Sequence, residues 1–244
     1  MFWPDVTELK AFYDSPLGQM CTHCIRRAVA SLWPEAKGET LLGIGYALPT
    51  LRPFLKSADV VAAAMPSGQG VIHWPAGQAA LTLLSHETAQ PFRSGTLNRL
   101  ILMHALEHAQ PVSLILQEAE RLLTPSGRML VILPNRRSLW AGSEQTPYAQ
   151  GQPYSMAQVK RLLEKHGFSV LQTRQALFFL PSHSRGLLRF ARWLERLGES
   201  FFPHFGGILL VEVEKRTPGK ISGTPVKVFA SAPQTAASLN RKSL

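Results

Sequence analysis

From residue 97 onward, apolar and polar positions alternate in blocks of two different periods. Leu97 to Met103 is a short apolar run, interrupted at Asn98 and Arg99. A polar turn, His104 to Gln110, follows it. From Pro111, the apolar positions Val112, Leu114, Ile115, Leu116, Ala119, Leu122 and Leu123 take helical spacing until Pro125 and Gly127 stop it. Met129 to Leu133 is a second apolar run. The pattern predicts strand, helix and strand with tight connections, a unit whose strands run parallel. Ligands of such sheets sit outside the carboxyl ends of the strands. His104, Glu107 and His108 stand at one such end, and Pro134, Asn135 and Arg136 at another.

The same alternation extends in both directions. Residues 6–33 read as helical, with Leu9, Phe12 and Tyr13 on one turn and Ile25, Val29, Leu32 and Trp33 on another. Ser15, Pro16 and Gly18 break that segment in two. Glu39 to Ile44 is a strand that runs into Gly43-Ile44-Gly45-Tyr46-Ala47, with a helix starting over Thr50 to Leu55. A glycine pair at a strand end lets backbone approach a ligand closely. Asp59 to Met65 is the second strand, closed by Pro66. Ala79 to Leu84 is the third, with Ser85-His86-Glu87-Thr88 at its end.

Downstream, residues 136–154 are polar and rich in Gly, Pro and Gln. Ser155 caps a helix over Met156 to His166. Phe168 to Phe179 reads as a strand. Pro181 to Pro203 reads as an amphipathic helix in which Arg185, Arg189, Arg192 and Arg196 repeat, a pattern usual for a solvated face. Gly206 to Lys215 is the last strand, placed to pair antiparallel with the previous one at a sheet edge. The whole is a doubly wound α/β pattern.

Composition narrows this picture. The longest apolar runs are shorter than 10 residues, too short to span a bilayer. The first residues have no basic segment followed by an apolar one, and two cysteines make no disulfide framework, so a cytoplasmic protein is expected. Cys21-Thr22-His23-Cys24 is a lone CxxC without a second ligand pair. It reads as two small residues one turn apart on a helix, and no metal site is expected. The net charge is +10, and half of it comes from Arg216, Lys220, Lys227, Arg241 and Lys242 in residues 216–244, which hold no acid. That tail is expected to lack fixed structure. A basic balance is compatible with nucleic acid or an anionic surface, but solubility alone accounts for it, and neither partner is favoured.

Three stretches together resemble a known family: LLGIG before a helix; Pro91-Phe92 before NRLILMHALEH; and the run Glu118-x-x-Arg121-x-Leu123-x-Pro125-x-Gly127 before a strand ending Pro134-Asn135. They resemble the class I S-adenosylmethionine-dependent methyltransferases, in the branch often called the type 11 methyltransferase domain, over about residues 39–168. The resemblance implies a mostly parallel seven-stranded Rossmann-like sheet with an antiparallel C-terminal edge strand, S-adenosylmethionine as methyl donor, and an unidentified methyl acceptor. Together with the periodicity and composition above, it divides the chain into an N-terminal helical segment over 1–38, a methyltransferase-like domain over 39–215 with a helical insertion at 181–204, and the tail at 216–244. Gly43, Ile44, Gly45 and Tyr46 are expected under the methionine part and ribose. Met65 and Pro66 are expected at the adenosine, His86, Glu87 and Thr88 near the adenine, and Met103 and His104 near the sulfonium.

The chain departs from that family where charge is usual. Leu41 stands where an acid precedes the first glycine, Ala47 where a third glycine stands, Met65 or Pro66 where an acid holds the ribose, and Asn98 where an aspartate opens the fourth strand. A hydrogen bond to a charged group contributes roughly 1.5–3 kcal/mol, so the missing ribose carboxylate costs about 10- to 100-fold in affinity. Methyl transfer needs donor and acceptor aligned, and sometimes a base. His104 is the expected base, with His108 as the other candidate. Trp140, Tyr148, Tyr154, Phe178 and Phe179 either line an acceptor pocket or simply pack. The rival reading is a catalytically degenerate methyltransferase-fold domain that binds a partner. A nicotinamide-dependent dehydrogenase fits less well, because GxGxxG and the acid after the second strand are both absent.

Overall fold

The structure is a computed structural model and describes residues 3–216. The expectation for the basic tail therefore lies, beyond Arg216, outside the described residues.

Ser15 joins the first two helices. α1 (Val6–Asp14) starts at Asp5, whose carboxylate accepts from the Thr7 amide, and ends at Ser15. The same Ser15 caps α2 (Pro16–Leu32) by accepting from the Gly18 amide. The two helices cross closely at Gly18, where a Cβ would lie 1.9 Å from the Phe12 carbonyl oxygen. β1 (Thr40–Gly45) leads to the short α3 (Leu48–Leu51) and a 3-10 turn, then to β2 (Val60–Pro66), β3 (Thr82–Ser85) and β4 (Leu97–Met103). α4 (Val112–Leu122), β5 (Leu123–Pro134), α5 (Met156–Lys165), β6 (Phe168–Ala176), α6 (Arg185–Phe201) and β7 (Ile208–Lys215) follow.

The seven strands lie in the order β3-β2-β1-β4-β5-β7-β6. β1 to β5 are parallel, and β7 runs antiparallel between β5 and β6. Period-two alternation sorts the strands' side chains to two cores. Leu41, Met65, Ile101, Met103, Leu130 and Ile132 join the core that includes residues of α1, α2 and α3. Leu42, Ile44, Leu100, Leu102, Met129 and Val131 join the core under α4 and α5.

Some boundaries move, each for a local reason. α4 stops at Leu122, short of Pro125, because Leu123 is extended and pairs with Leu97 as the start of β5. β6 ends at Ala176, short of Phe179, because Leu177 turns at φ 65. Glu195 of α6 holds that turn, accepting the Leu177 and Phe178 amides at 2.9 and 2.6 Å.

A buried charged cluster ties the amino end of the parallel strands. Fully buried Glu212 accepts from the Trp33 indole at 2.8 Å and from Arg128 at 3.1 Å. Arg99 lies over the Trp33 ring, 4.0 Å from Glu212, and pairs with Glu39 at 2.7 Å. Glu39 is thus committed at the end of the sheet opposite the expected ligand edge. Asn98 is structural too, accepting from the Thr40 amide at 2.9 Å. Among the described residues, no helix is long and apolar enough to cross a membrane.

Candidate active site at the carboxyl edge of the sheet

The glycine pair makes a tight turn at the end of β1. Gly45 has φ +85, and a Cβ on it would lie 2.3 Å from the Met103 carbonyl oxygen. The Tyr46 amide donates to that same oxygen at 2.8 Å. The turn is therefore pressed against the exit of β4, and only glycine fits there. Gly43 leaves room for a different neighbour. A Cβ there would lie 2.5 Å from the Ala47 methyl, so Ala47 fills the space that Gly43 opens.

The expected site residues fall into three groups. Gly43, Ile44, Gly45 and Tyr46 end β1, and Met103 and His104 end β4 directly beside them. Met65 and Pro66 lie one strand over, both buried. His86, Glu87 and Thr88 turn outside β3, beyond β2. His86 is exposed there, with Nδ1 2.9 Å from the Thr88 hydroxyl, and Glu87 is buried. The Ser67 amide donates to the Ser85 carbonyl, which ties the exits of β2 and β3 together.

His104 is the first residue past β4, with φ 51 and almost no exposure. Its Nε2 is 2.7 Å from the Tyr13 hydroxyl, which is 2.8 Å from the Tyr148 hydroxyl. Its Nδ1 faces Glu107 Oε1 at 3.4 Å without hydrogen-bond alignment, and neither atom has another hydrogen-bond partner. The other Glu107 oxygen accepts from the Ala105 amide at 3.2 Å, so the carboxylate holds the preceding backbone rather than the following one. Burial pushes the Glu107 carboxyl up, but the facing His104 and the neighbouring His108 outweigh it and leave the value below the ordinary 4.5. Burial pushes both phenols well above their ordinary value, so Tyr13 and Tyr148 stay neutral. Ligand atoms of His104, Glu107 and His108 lie within 4.8 Å of one another, and these buried side chains could hold a divalent cation. The sequence places these three residues together at a strand end, but no metal is expected from it there.

The N-terminal segment crosses this edge. Val6, Leu9 and Tyr13 belong to the core on the α2 side, and Trp3 to the core on the α4 side. Tyr13 stacks on Tyr46 with ring centroids 5.4 Å apart. The Val6 amide donates to the Gln69 carbonyl at 2.9 Å. The Trp3 indole packs at Gly68, after β2, and 5.6 Å from the His108 ring, after β4. It therefore spans the exit of β1, which lies between those two strands.

Sequence reasoning missed Trp3, Tyr13 and Gln69 as site residues. Gln69 sits three residues past Pro66, and both of its side-chain amide atoms are buried without a hydrogen-bond partner. A buried amide in that condition needs a partner that the protein itself does not supply, a water or a ligand. Its only sequence signal is its position after the second strand, where an acid was sought. Of the aromatics beyond β5, Tyr148 turns its hydroxyl to Tyr13 in the His104 cluster, and Trp140 packs behind it. Trp140 donates to the Phe179 carbonyl at 2.8 Å and meets Tyr148 and Phe179 edge-on. Cys21 and Cys24 lie one turn apart on α2, the placement that the sequence predicts, and both are buried; burial pushes Cys24 up to about 12.

No family model matches the chain, and no curated protein matches it in sequence. Solved structures do. A methyltransferase dependent on S-adenosylmethionine from Thermotoga maritima is 17% identical with a TM-score of 0.62, over 86% of this chain and 96% of that one. One from Archaeoglobus fulgidus is 16% identical with a TM-score of 0.57, over 78% and 93%. One from Aquifex aeolicus is 14% identical with a TM-score of 0.54, over 86% and 97%. At these identities the shared property is the fold. The strand order, the parallel sheet with one antiparallel strand and these likenesses agree: the chain has the Rossmann-like fold of the S-adenosylmethionine-dependent methyltransferases.

Proposed function

We propose that this chain is an S-adenosylmethionine-dependent methyltransferase whose acceptor is not identified. The observation that carries the reading is the turn at Gly43–Gly45. It stands where the strand order reverses between β1 and β4, the place where such sheets bind ligands. The motif from His104 to His108 and the run from Glu118 to Gly127 support the type 11 branch. Backbone of Gly43 to Tyr46 would hold the methionine part, and Met65, Pro66, His86, Glu87 and Thr88 the adenosine side. The Gln69 amide offers a donor and an acceptor for ribose hydroxyls where the family's acid is missing. Bound S-adenosylmethionine supplies an electrophilic methyl group. His104 is the proposed base: its Nε2, now facing the Tyr13 hydroxyl, is the atom that would take the acceptor's proton. Glu107, behind Nδ1, would stabilise the resulting imidazolium.

A second reading, a non-catalytic binding domain, is favoured by one observation. Trp3 and Tyr13 cover the edge that the cofactor would use. Calorimetric titration with S-adenosylmethionine and S-adenosylhomocysteine decides between the two readings. The methyltransferase reading expects micromolar binding, tightened several-fold in Trp3→Ala because the indole no longer competes for the cleft. Folded protein that binds neither molecule up to millimolar, in both forms, would leave the non-catalytic reading.

A further inference from the structure

The sequence pattern of α6 suggested an ordinary amphipathic helix with a solvated arginine face. The structure keeps that arginine face exposed and adds a further apolar one, so the helix carries three stripes. Leu188, Ala191 and Glu195 face the body and are buried. Arg189, Arg192 and Arg196 form a second, exposed stripe. Leu187, Phe190 and Trp193 lie on a third, turned away from the buried one at about 100° per residue. Phe201, Phe202 and Phe205 extend the apolar surface past the end of the helix. These six side chains are 47–71% exposed. Single exposed apolar residues are ordinary, but six large ones on one helix and its trailing turn mark an interaction surface.

The neighbouring surface is basic. A groove of about 460 Å³ runs beside α6, lined by Leu188, Arg189 and Arg192 and by Gln19, Met20 and His23 of α2. It shares Gln19 and His23 with a second groove of about 510 Å³ that holds Lys10, Arg26, Arg52 and His73. The one acid in that lining is Asp14, and it pairs with Lys10. On α6 itself, Glu195 is buried under the backbone amides of Leu177 and Phe178, and Glu199 pairs with Arg27.

We infer that α6 and the Phe201–Phe205 turn form a docking surface for a bilayer leaflet that carries anionic phospholipid. Phe and Trp beside arginine is the composition of a helix that lies in the headgroup region, apolar side inward, with guanidiniums on the phosphates. A nucleic-acid duplex would use the arginines and leave the aromatic stripe in water; a single strand would stack bases on Phe190 and Trp193 but leave Leu187 unmatched, and it gives no quenching by brominated lipid. A second copy of the chain would cover the aromatics but, in a two-fold contact, would set one arginine stripe close to another. This inference does not depend on methyl transfer.

Vesicle flotation tests it, read together with tryptophan fluorescence. Of the five tryptophans, Trp193 is exposed and Trp3, Trp33, Trp74 and Trp140 are buried. The protein should float with phosphatidylcholine vesicles that contain phosphatidylglycerol and much less with phosphatidylcholine alone, and added salt should weaken it. Brominated lipid should quench the Trp193 emission. Trp193→Phe should still float but lose the quenching. Phe190→Ser and Phe201→Ser should each lower partitioning about tenfold or more, and Arg189→Gln and Arg192→Gln about fivefold each, with unchanged melting temperatures. Two results overturn the inference: folded protein that stays off phosphatidylglycerol vesicles, or floats without quenching. A dimer in light scattering that dissociates on Phe190→Ser assigns the surface to a second copy and overturns it as well.

Discussion

Two buried polar clusters stand at opposite ends of the parallel strands. At the amino end, Glu39 and Glu212 face Arg99 and Arg128, two carboxylates against two guanidiniums. At the carboxyl end, Glu107 stands among His104, His108, Tyr13 and Tyr148. The first set pairs opposite charges carried on or beside neighbouring strands and so binds those strands to one another. The second set places imidazoles between two phenols and a carboxylate, the kinds of donor and acceptor that acid–base chemistry uses. One end of the sheet is built to hold strands together, and the other gathers groups that the proposed reaction would use.

Substitutions should separate the two ends. The largest effect expected is on rate. With an acceptor in hand, His104→Ala should lower the single-turnover methyl-transfer rate by about 100- to 10,000-fold. An unchanged rate would remove His104 from the proposed chemistry. Next comes stability at the opposite end. Glu212→Ala leaves Trp33 without its acceptor and Arg99 and Arg128 with less countercharge, and should cost about 3 kcal/mol in denaturant unfolding. A cost below about 1 kcal/mol would deny that cluster its structural role.

The smallest effect concerns pH. The folded value of Glu107 is depressed, so its carboxylate contributes stability that is complete above its ordinary 4.5 and is lost as pH falls through the folded value. Wild type should therefore lose more stability than Glu107→Gln between neutral and strongly acidic pH, by on the order of 1 kcal/mol for each unit of depression. Parallel pH profiles for the two proteins would mean that the carboxylate is not held ionised by its histidine neighbours.

The strands were legible because a strand written in apolar residues needs only local pattern. Leu97 to Met103 is predicted and observed with the same ends. Ser155 announced α5 for a similar reason: its cap, completed by Gln158, is made within one turn. The covering of the site was not legible. Leu9, Phe12 and Tyr13 show that α1 has an apolar face but not what that face meets, and Tyr13 reaches His104 across 91 positions of chain. Gln69 hid because a neutral amide carries no charge signal. On α6, the apolar residues spread round more than half the helix, and spacing alone could not say which of them face outward.

Ser15 limits how α1 can leave the edge. It is the C-cap of one helix and the N-cap of the next, so a single residue forms the joint. A joint with one residue's torsions permits a swing but no slide. Tyr13 lies beside the pivot, while Val6, at the far end of the helix, lies roughly 1.5 Å per residue further out, and Trp3 precedes it. A small rotation at Ser15 would carry Trp3 well clear of Gly68 and His108 while Tyr13 still touched His104. The β2 side of that edge would then be uncovered before His104.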